Sequence, residues 1–260
     1  MTGFSGISGD LILDHAFGLI LVLARVGATL ALLPGLGEVT IPSVVKAGMV
    51  LTLTLLLLPI IEPTLPPRPA SEVAFALMVA TELTDGLWFG WLARVFTTSL
   101  PLAGQYIADF AGLSNVLLPT PELGAQNTAI ARMYEVAAPA LILSTGLYTV
   151  SLASFVGFYR LIPPGSVAWI PDSAAMTVKA VAASFNLAIQ LAAPFILASI
   201  AWNVAIGLIA RLVPRLQVFF VALPGQIGMG LLLLAAIAAP LIAVWTEAMR
   251  TGLGALPGGG

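Results

Sequence analysis

Long apolar runs separated by short clusters of Pro, Gly and charged residues organise this chain. A bilayer-spanning helix needs roughly 20 mainly apolar residues, and several runs approach that length. Leu11–Leu33 contains one internal charge pair of sorts, Asp14 and Arg25. Val44–Leu58 is strongly apolar but supplies only about three-quarters of a span. Glu72–Ser99 reads as a helix with polar positions at Glu82, Asp85 and Arg94. Pro101–Leu113 is moderately apolar, and Ile130–Phe158 is one long apolar run after Arg132 and Glu135. Met176–Leu212 predicts a long helix interrupted at Pro194, and Val218–Met249 a last helix containing Pro224 and Pro240.

The connections are rich in turn residues. They are "PGLGEVTIP" (34–42), "PIIEPTLPPRP" (59–69), "LSNVLLPTPELGAQN" (113–127) and "YRLIPPGSVAWIPD" (159–172). Helix is disfavoured across 59–69, because proline lacks a backbone donor and clashes with the preceding turn. The spans are therefore irregular, some short and some overlong. Broken helices persist at membrane depth only where protein or water satisfies the freed backbone groups, so the pattern predicts bent helical hairpins packed on neighbours. Gly86 and Gly90, four apart in "GLWFGW", fit close helix packing.

Composition sharpens this picture. Of 260 residues, 59% are hydrophobic and 8% charged, whereas a soluble domain carries roughly a quarter charged residues. The predicted class is an all-α integral membrane protein forming a single unit. A net charge of -2 gives no reason to expect nucleic-acid binding, and the lack of cysteine removes disulfides and thiolate metal sites. The N-terminal stretch holds Asp10 and Asp14 before its apolar core and no Lys or Arg. It is read as a retained helix rather than a signal peptide. The densest local pair of cations, Arg211 and Arg215, places their connection on the cytoplasmic side by the positive-inside rule.

Catalytic signatures are sparse. The one histidine, His15, follows Asp14 at the start of the first helix, where an interfacial role is expected. Ser8 in "GISGD" lies near the N-terminus, only seven residues from that histidine, a poor setting for a serine nucleophile. No phosphate-cradling Gly-Lys-Ser/Thr loop occurs, and neither a metal nor another cofactor is expected. Glu82 and Asp85 are three apart and share one helical face, as do Arg132 and Glu135. Charges at membrane depth often mark ion or proton pathways. A secondary transporter or proton-coupled carrier using Glu82 and Asp85 is therefore one reading. The other is that each charge is paired near a helix end or inside an assembly.

The ordered set of punctuating residues resembles the FliR family, membrane subunits of the flagellar type III export gate, together with their injectisome relatives. The resemblance covers essentially the whole chain. It begins at "RVGATLALLPGLGEVTIPSVVKAG" with Arg25, Pro34, Glu38 and Pro42. It continues through Glu82, Gly86 and Gly90, then "AGQYIADFAGL" with Gly104 and Gly112, then "SFVGFYRLIPPGS". It ends with Asn203, Gly207, "ARLVPRLQVFFVALP" and its Pro224. Arg215 stands where the family usually has glutamine, Gln217 where a smaller polar residue is usual, and "STGLYT" (144–149) replaces a Gly-His turn.

The resemblance implies a non-enzymatic gate subunit of the bacterial inner membrane and flagellar basal body. A FliP-like part (about 1–175) would precede a FliQ-like hairpin (176–250), with 251–260 a disordered tail. One copy would complete a helical ring of FliP-like and FliQ-like subunits around the passage for unfolded export substrates. Arg211, Pro214, Arg215, Gln217 and Phe219 would form a cytoplasmic elbow that meets substrate or an FlhB-like gate protein. A simple lipid-headgroup anchor by snorkelling arginines is compatible with the same residues. Proline disfavours a helical residue before it, so the first helix of the hairpin is expected to end near Pro214. The loop 112–124 would plug the closed pore, with Leu113, Val116, Leu117 and Leu118 as its apolar contacts.

Overall fold

The computed structural model describes residues 9–113, 128–166, 170–212 and 218–259. Among them there is no β-strand, and eight α-helices follow in order. They are α1 (Gly9–Leu32), α2 (Ser43–Ile61), α3 (Glu72–Thr97), α4 (Ser99–Phe110), α5 (Ala129–Ser144), α6 (Leu147–Leu161), α7 (Ile170–Leu212) and α8 (Val218–Gly254). Five described segments are long and apolar enough to cross a membrane, and a sixth if the broken pair α5 and α6 counts as one span.

Three boundaries differ from the sequence expectation. Ile130–Phe158 is two helices, not one, because the chain turns at Gly146, whose φ of 73° lies in the left-handed region that glycine enters freely. α2 runs on through Pro59 to Ile61 and into a 3₁₀ turn at Glu62–Thr64, inside the stretch where helix was disfavoured. There Pro59 removes a single intrahelical bond, and the Glu62 N–H still closes onto the Leu58 carbonyl. Pro194 lies within α7 without dividing it into two elements. One lost hydrogen bond does not end a helix whose flanking turns, at Leu191, Ala192 and Phe195, are buried.

Contacts gather the helices into two units whose sequences interleave. The first takes in the described residues of Met1–Val95, Gly146–Ala180 and Arg250–Gly260. Its core runs along one face of α1 (Leu21, Val22, Val26) and meets Phe89 of α3 and Phe155 and Phe158 of α6. The Phe89 ring lies 5.4 Å from Phe155 and 5.2 Å from Phe158, the tilted spacing favoured by aromatic quadrupoles. α3 approaches α1 through its two glycines: a Cβ on Gly86 would lie 2.5 Å from the Arg25 carbonyl oxygen, and one on Gly90 2.7 Å from that of Thr29.

The end of α8 belongs to this unit and corrects the expectation of a disordered tail. Leu253 and Leu256 are buried. The Ser154 hydroxyl donates to the Leu253 carbonyl at 3.1 Å, and Gly258 meets Gly157 backbone to backbone. Buried apolar contacts and a satisfied carbonyl hold residues that glycine content and a terminal position alone would leave loose.

The second unit takes in the described residues of Phe96–Thr145 and Val181–Met249. In it α4 packs on α5 at Gly104, where a Cβ would lie 2.7 Å from the Tyr134 ring. On α8, Leu241, Trp245 and Met249 recur at four-residue spacing and are buried, the apolar stripe of a packed helix. The Trp245 indole N–H reaches the Ser99 hydroxyl at 3.1 Å, so this large buried side chain keeps its one donor satisfied.

Candidate functional site

The most concentrated chemistry lies inside the first unit. Arg25 emerges from the apolar face of α1 between buried Val22 and Val26, so its guanidinium has no route to water. Glu82 and Asp85, three apart on α3, both point toward it. Arg25 Nε lies 2.7 Å from Glu82 Oε2, too oblique for an aligned hydrogen bond and close enough for a strong ion pair. Nη2 donates to Glu82 Oε1 at 3.1 Å and to Asp85 Oδ2 at 3.3 Å. The Arg25 and Glu82 side chains are 0% exposed and that of Asp85 5%.

The third wall is the turn after α6. Arg25 Nη1 donates to the Ile162 carbonyl at 2.7 Å, and the Gly165 N–H donates to Glu82 Oε1 at 2.6 Å. Gly165 has a φ of 78°, so the turn needs glycine there to aim its N–H at the carboxylate. The guanidinium carbon also stands 4.6 Å from the Tyr159 ring centroid and 5.4 Å from that of Phe158, within cation–π range. One guanidinium thus ties together α1, α3 and the "LIPPG" turn. Buried charge is tolerated only when paired and hydrogen-bonded on several sides, and this cluster meets that condition. The arrangement acts as an internal staple, with both carboxylates occupied and shielded from solvent.

Arg25 does not pair with Asp14, contrary to the sequence expectation. They are eleven residues apart, about 16 Å along a helix, and Asp14 instead lies 3.6 Å from Arg68 at the surface. His15 faces Glu62 at 3.1 Å, also exposed. Arg132 and Glu135 form an exposed pair at 2.8 Å.

Other residues singled out by sequence take local roles in the first unit. Pro34 is buried after α1, and Pro42 occupies the N-cap of α2. Glu38 accepts from Arg94 Nη2 at 3.1 Å and from the Gly35 N–H at 3.3 Å. Arg94 Nε caps the Leu32 carbonyl at 2.9 Å, satisfying a carbonyl that the end of α1 leaves open.

In the second unit, Gly104 sits in the α4–α5 contact, and Gly112 ends α4 with a φ of 76°. Leu113 is half-buried, its N–H bonded to the Ala108 carbonyl at 2.9 Å. Val116, Leu117 and Leu118 lie outside the described residues, as do Pro214, Arg215 and Gln217. Arg211 is exposed in the last turn of α7, where a cation meets the negative helix end. Phe219 falls in the first turn of α8. Asn203 donates to the Ser199 carbonyl at 2.8 Å, Gly207 has open space where a Cβ would stand, and Pro224 is exposed within α8.

Two contacts had no sequence signal. Gln226 of α8 donates to the Phe110 carbonyl at 3.1 Å, and Gln105 of α4 accepts from the Thr128 N–H at 3.2 Å. Neither periodicity nor spacing marks a glutamine that reaches a backbone group on another element. Among the described residues, no three His, Cys, Asp or Glu side chains converge as a metal site.

Comparison with known proteins completes the description. The sequence pattern of bacterial export proteins, family 1, matches residues 16–252. The chain is 36% identical over 230 residues to flagellar biosynthetic protein FliR of Caulobacter vibrioides, covering 88% of this chain and 92% of that one. It is 27% identical over 230 residues to flagellar biosynthetic protein FliR of Escherichia coli, covering 86% and 85%. It is also 27% identical over 233 residues to Yop proteins translocation protein T of Yersinia pestis, covering 86% and 87%.

Proposed function

The chain belongs to bacterial export proteins, family 1, and from that premise we propose that it is a non-enzymatic subunit of a type III protein-export apparatus. One copy joins FliP-like and FliQ-like subunits in the inner membrane at the flagellar basal body, and together they surround the passage for unfolded substrates. Residues 1–175 supply the FliP-like part and 176–250 the FliQ-like hairpin. The segment 112–124 seals the resting passage, since an apolar constriction excludes water. The elbow around Arg211 and Arg215 faces the cytoplasmic entrance and an FlhB-like partner. Energy for export comes from other components.

The observation that carries this reading is the exposed apolar stripe of α7. Phe185, Ile189, Leu197, Ile200, Val204, Leu208 and Leu212 are all exposed. They span about 40 Å at ~1.5 Å per residue, longer than the roughly 30 Å hydrocarbon layer. An upright helix of that length outruns the lipid layer, and the apolar surface left beyond it is best covered by partner subunits.

Native mass spectrometry of the chain co-expressed with its FliP-like and FliQ-like neighbours tests the proposal. One copy of this chain among several of each partner is expected. A stable monomer or symmetric homo-oligomer would instead favour a carrier that uses Glu82 and Asp85. Deleting Asn115–Pro121 should raise ion leakage through the assembled complex, and unchanged conductance would remove the sealing role.

A further inference from the structure

The start of α1 and the end of α2 lie side by side. His15 Nε2 stands 3.1 Å from Glu62 Oε1, and Asp14 Oδ1 stands 3.6 Å from Arg68 Nε. The apolar span of α1 opens at Leu13, and the span of α2 runs out at Thr64. Two span ends of this kind mark the level where hydrocarbon gives way to lipid headgroups. Between them is a cavity of about 300 Å³, at the small end of the range for ligand sites. Its floor is apolar. Phe17 is buried there, its ring 5.8 Å from that of Phe75. Leu65 closes over Gly18, where a Cβ would come within 2.5 Å of Leu65 Cδ1.

The rim of the same cavity is charged. Asp14, His15, Glu62 and Arg68 all line it, each half-exposed. Ion pairs this exposed contribute little and cost little to open. Two carboxylates stand against one guanidinium and one imidazole, so the rim has no net positive charge whether the imidazole is neutral or protonated. A basic pocket selects anionic headgroups, and this rim does not. It matches a headgroup that carries both signs. A primary ammonium has several N–H donors, which Asp14 and Glu62 can share. A phosphate suits the Arg68 guanidinium. A quaternary ammonium lacks those donors. Away from the rim both helices carry exposed apolar side chains for acyl chains to cover, Ile20 and Leu23 on α1 and Leu51 and Leu55 on α2.

We propose that this cavity is a headgroup site for phosphatidylethanolamine, with Asp14 and Glu62 taking the ammonium and Arg68 the phosphate. Such a site requires only that the chain sits in a bilayer, so its failure leaves the export role untouched.

Competition between lipid classes tests it. The full chain is purified in mild detergent with any subunits that accompany it, and receives a trace of photoactivatable phosphatidylethanolamine. Cross-links to peptides containing residues 13–18 and 62–68 are quantified by mass spectrometry. Unlabelled phosphatidylethanolamine, phosphatidylcholine and phosphatidylglycerol with the same acyl chains then compete. Phosphatidylethanolamine should displace the probe at about fivefold lower concentration than either of the others, the ratio that one ion pair at a half-exposed site supplies. Asp14→Asn combined with Glu62→Gln should erase its advantage over phosphatidylcholine. Arg68→Gln should weaken both of these lipids alike, since both carry the phosphate. Protection of the Gly165 amide, which Glu82 holds, reports that each variant keeps its fold. Equal displacement by all three lipids would show apolar lodging without headgroup recognition and overturn the proposal. Strongest displacement by phosphatidylglycerol would reveal an anion site and overturn it too, as would cross-links that miss both peptides or a preference that survives loss of both carboxylates. The comparison of lipids on the parent chain needs no variant, so it decides the matter even if the double variant fails to fold.

Discussion

Arg25 of α1 and Glu82 of α3 meet at 2.7 Å with neither side chain exposed. They are 57 residues apart in sequence, and the carbonyl of Ile162, 137 residues from Arg25, completes the arrangement. Removing one partner of a buried pair leaves the other charge uncompensated, which destabilises by about 3–5 kcal/mol. Arg25→Ala should therefore lower the yield and thermal midpoint of the detergent-solubilised complex sharply. Arg25→Lys should recover only part of the loss, because a point charge cannot reproduce the guanidinium's several directed donors. Wild-type stability in Arg25→Ala would show that the cluster is not a staple. Glu82→Gln separates the functional readings: export per assembled complex should be retained, whereas a carrier would lose transport.

Glycines in the same chain should respond in opposite directions. A Cβ at Gly86 would meet backbone of α1 at 2.5 Å, so Gly86→Ala should destabilise by about 1–3 kcal/mol through overpacking. Gly207 and Gly48 have nothing within 4 Å of that position. Alanine there should leave the isolated chain as stable or stabilise it by up to ~1 kcal/mol, the helix-propensity difference. If Gly207→Ala instead blocks assembly while the isolated chain keeps its midpoint, a partner helix packs against that glycine. Thermal midpoints and complex yield, read side by side, distinguish the two.

Arg94 and Glu38 form a weaker pair, at 3.1 Å with side chains 36% and 21% exposed. Solvent screening limits such a pair to about 1 kcal/mol or less, which is the expected effect of Glu38→Ala. Arg94→Ala should exceed it, because Arg94 also caps the Leu32 carbonyl. Equal effects in chemical denaturation would show that the Leu32 cap contributes no more than the Gly35 hydrogen bond that Glu38→Ala also removes.

The end of α8 offers a dynamic prediction. Gly258 and Gly157 touch through their backbones, and Ser154 holds the Leu253 carbonyl. Gly157→Ala should separate Gly258 from α6. Amide exchange over 255–259 should accelerate while the Arg25 cluster stays protected. Unchanged exchange there would mean that the terminal contact adds no protection.

Much of the helical plan was legible in the chain. Continuous apolar runs must be helical where backbone groups lack water, and Glu82 and Asp85 share a face because three residues nearly complete a turn. The break at Gly146 was harder to read, since glycine within a membrane helix serves packing as readily as turning. Helix through Pro59 and Pro194 was misread because a proline's local penalty can be outweighed by the packing of the turns around it.

The sequence by itself determined the all-α apolar class, the order of helices and, through its spaced Pro, Gly and charged residues, the family. Those properties follow from local periodicity and from the ordered pattern along one chain. Only the tertiary structure decided the partners. Arg25 could have met Asp14 on its own helix, yet eleven residues of helical rise hold them about 16 Å apart, while packing through Gly86 brings α3 within reach. Gln226 and Phe110 lie 116 residues apart. Which donor finds which carbonyl depends on how closely two backbones approach, and that distance is set by the small residues between them.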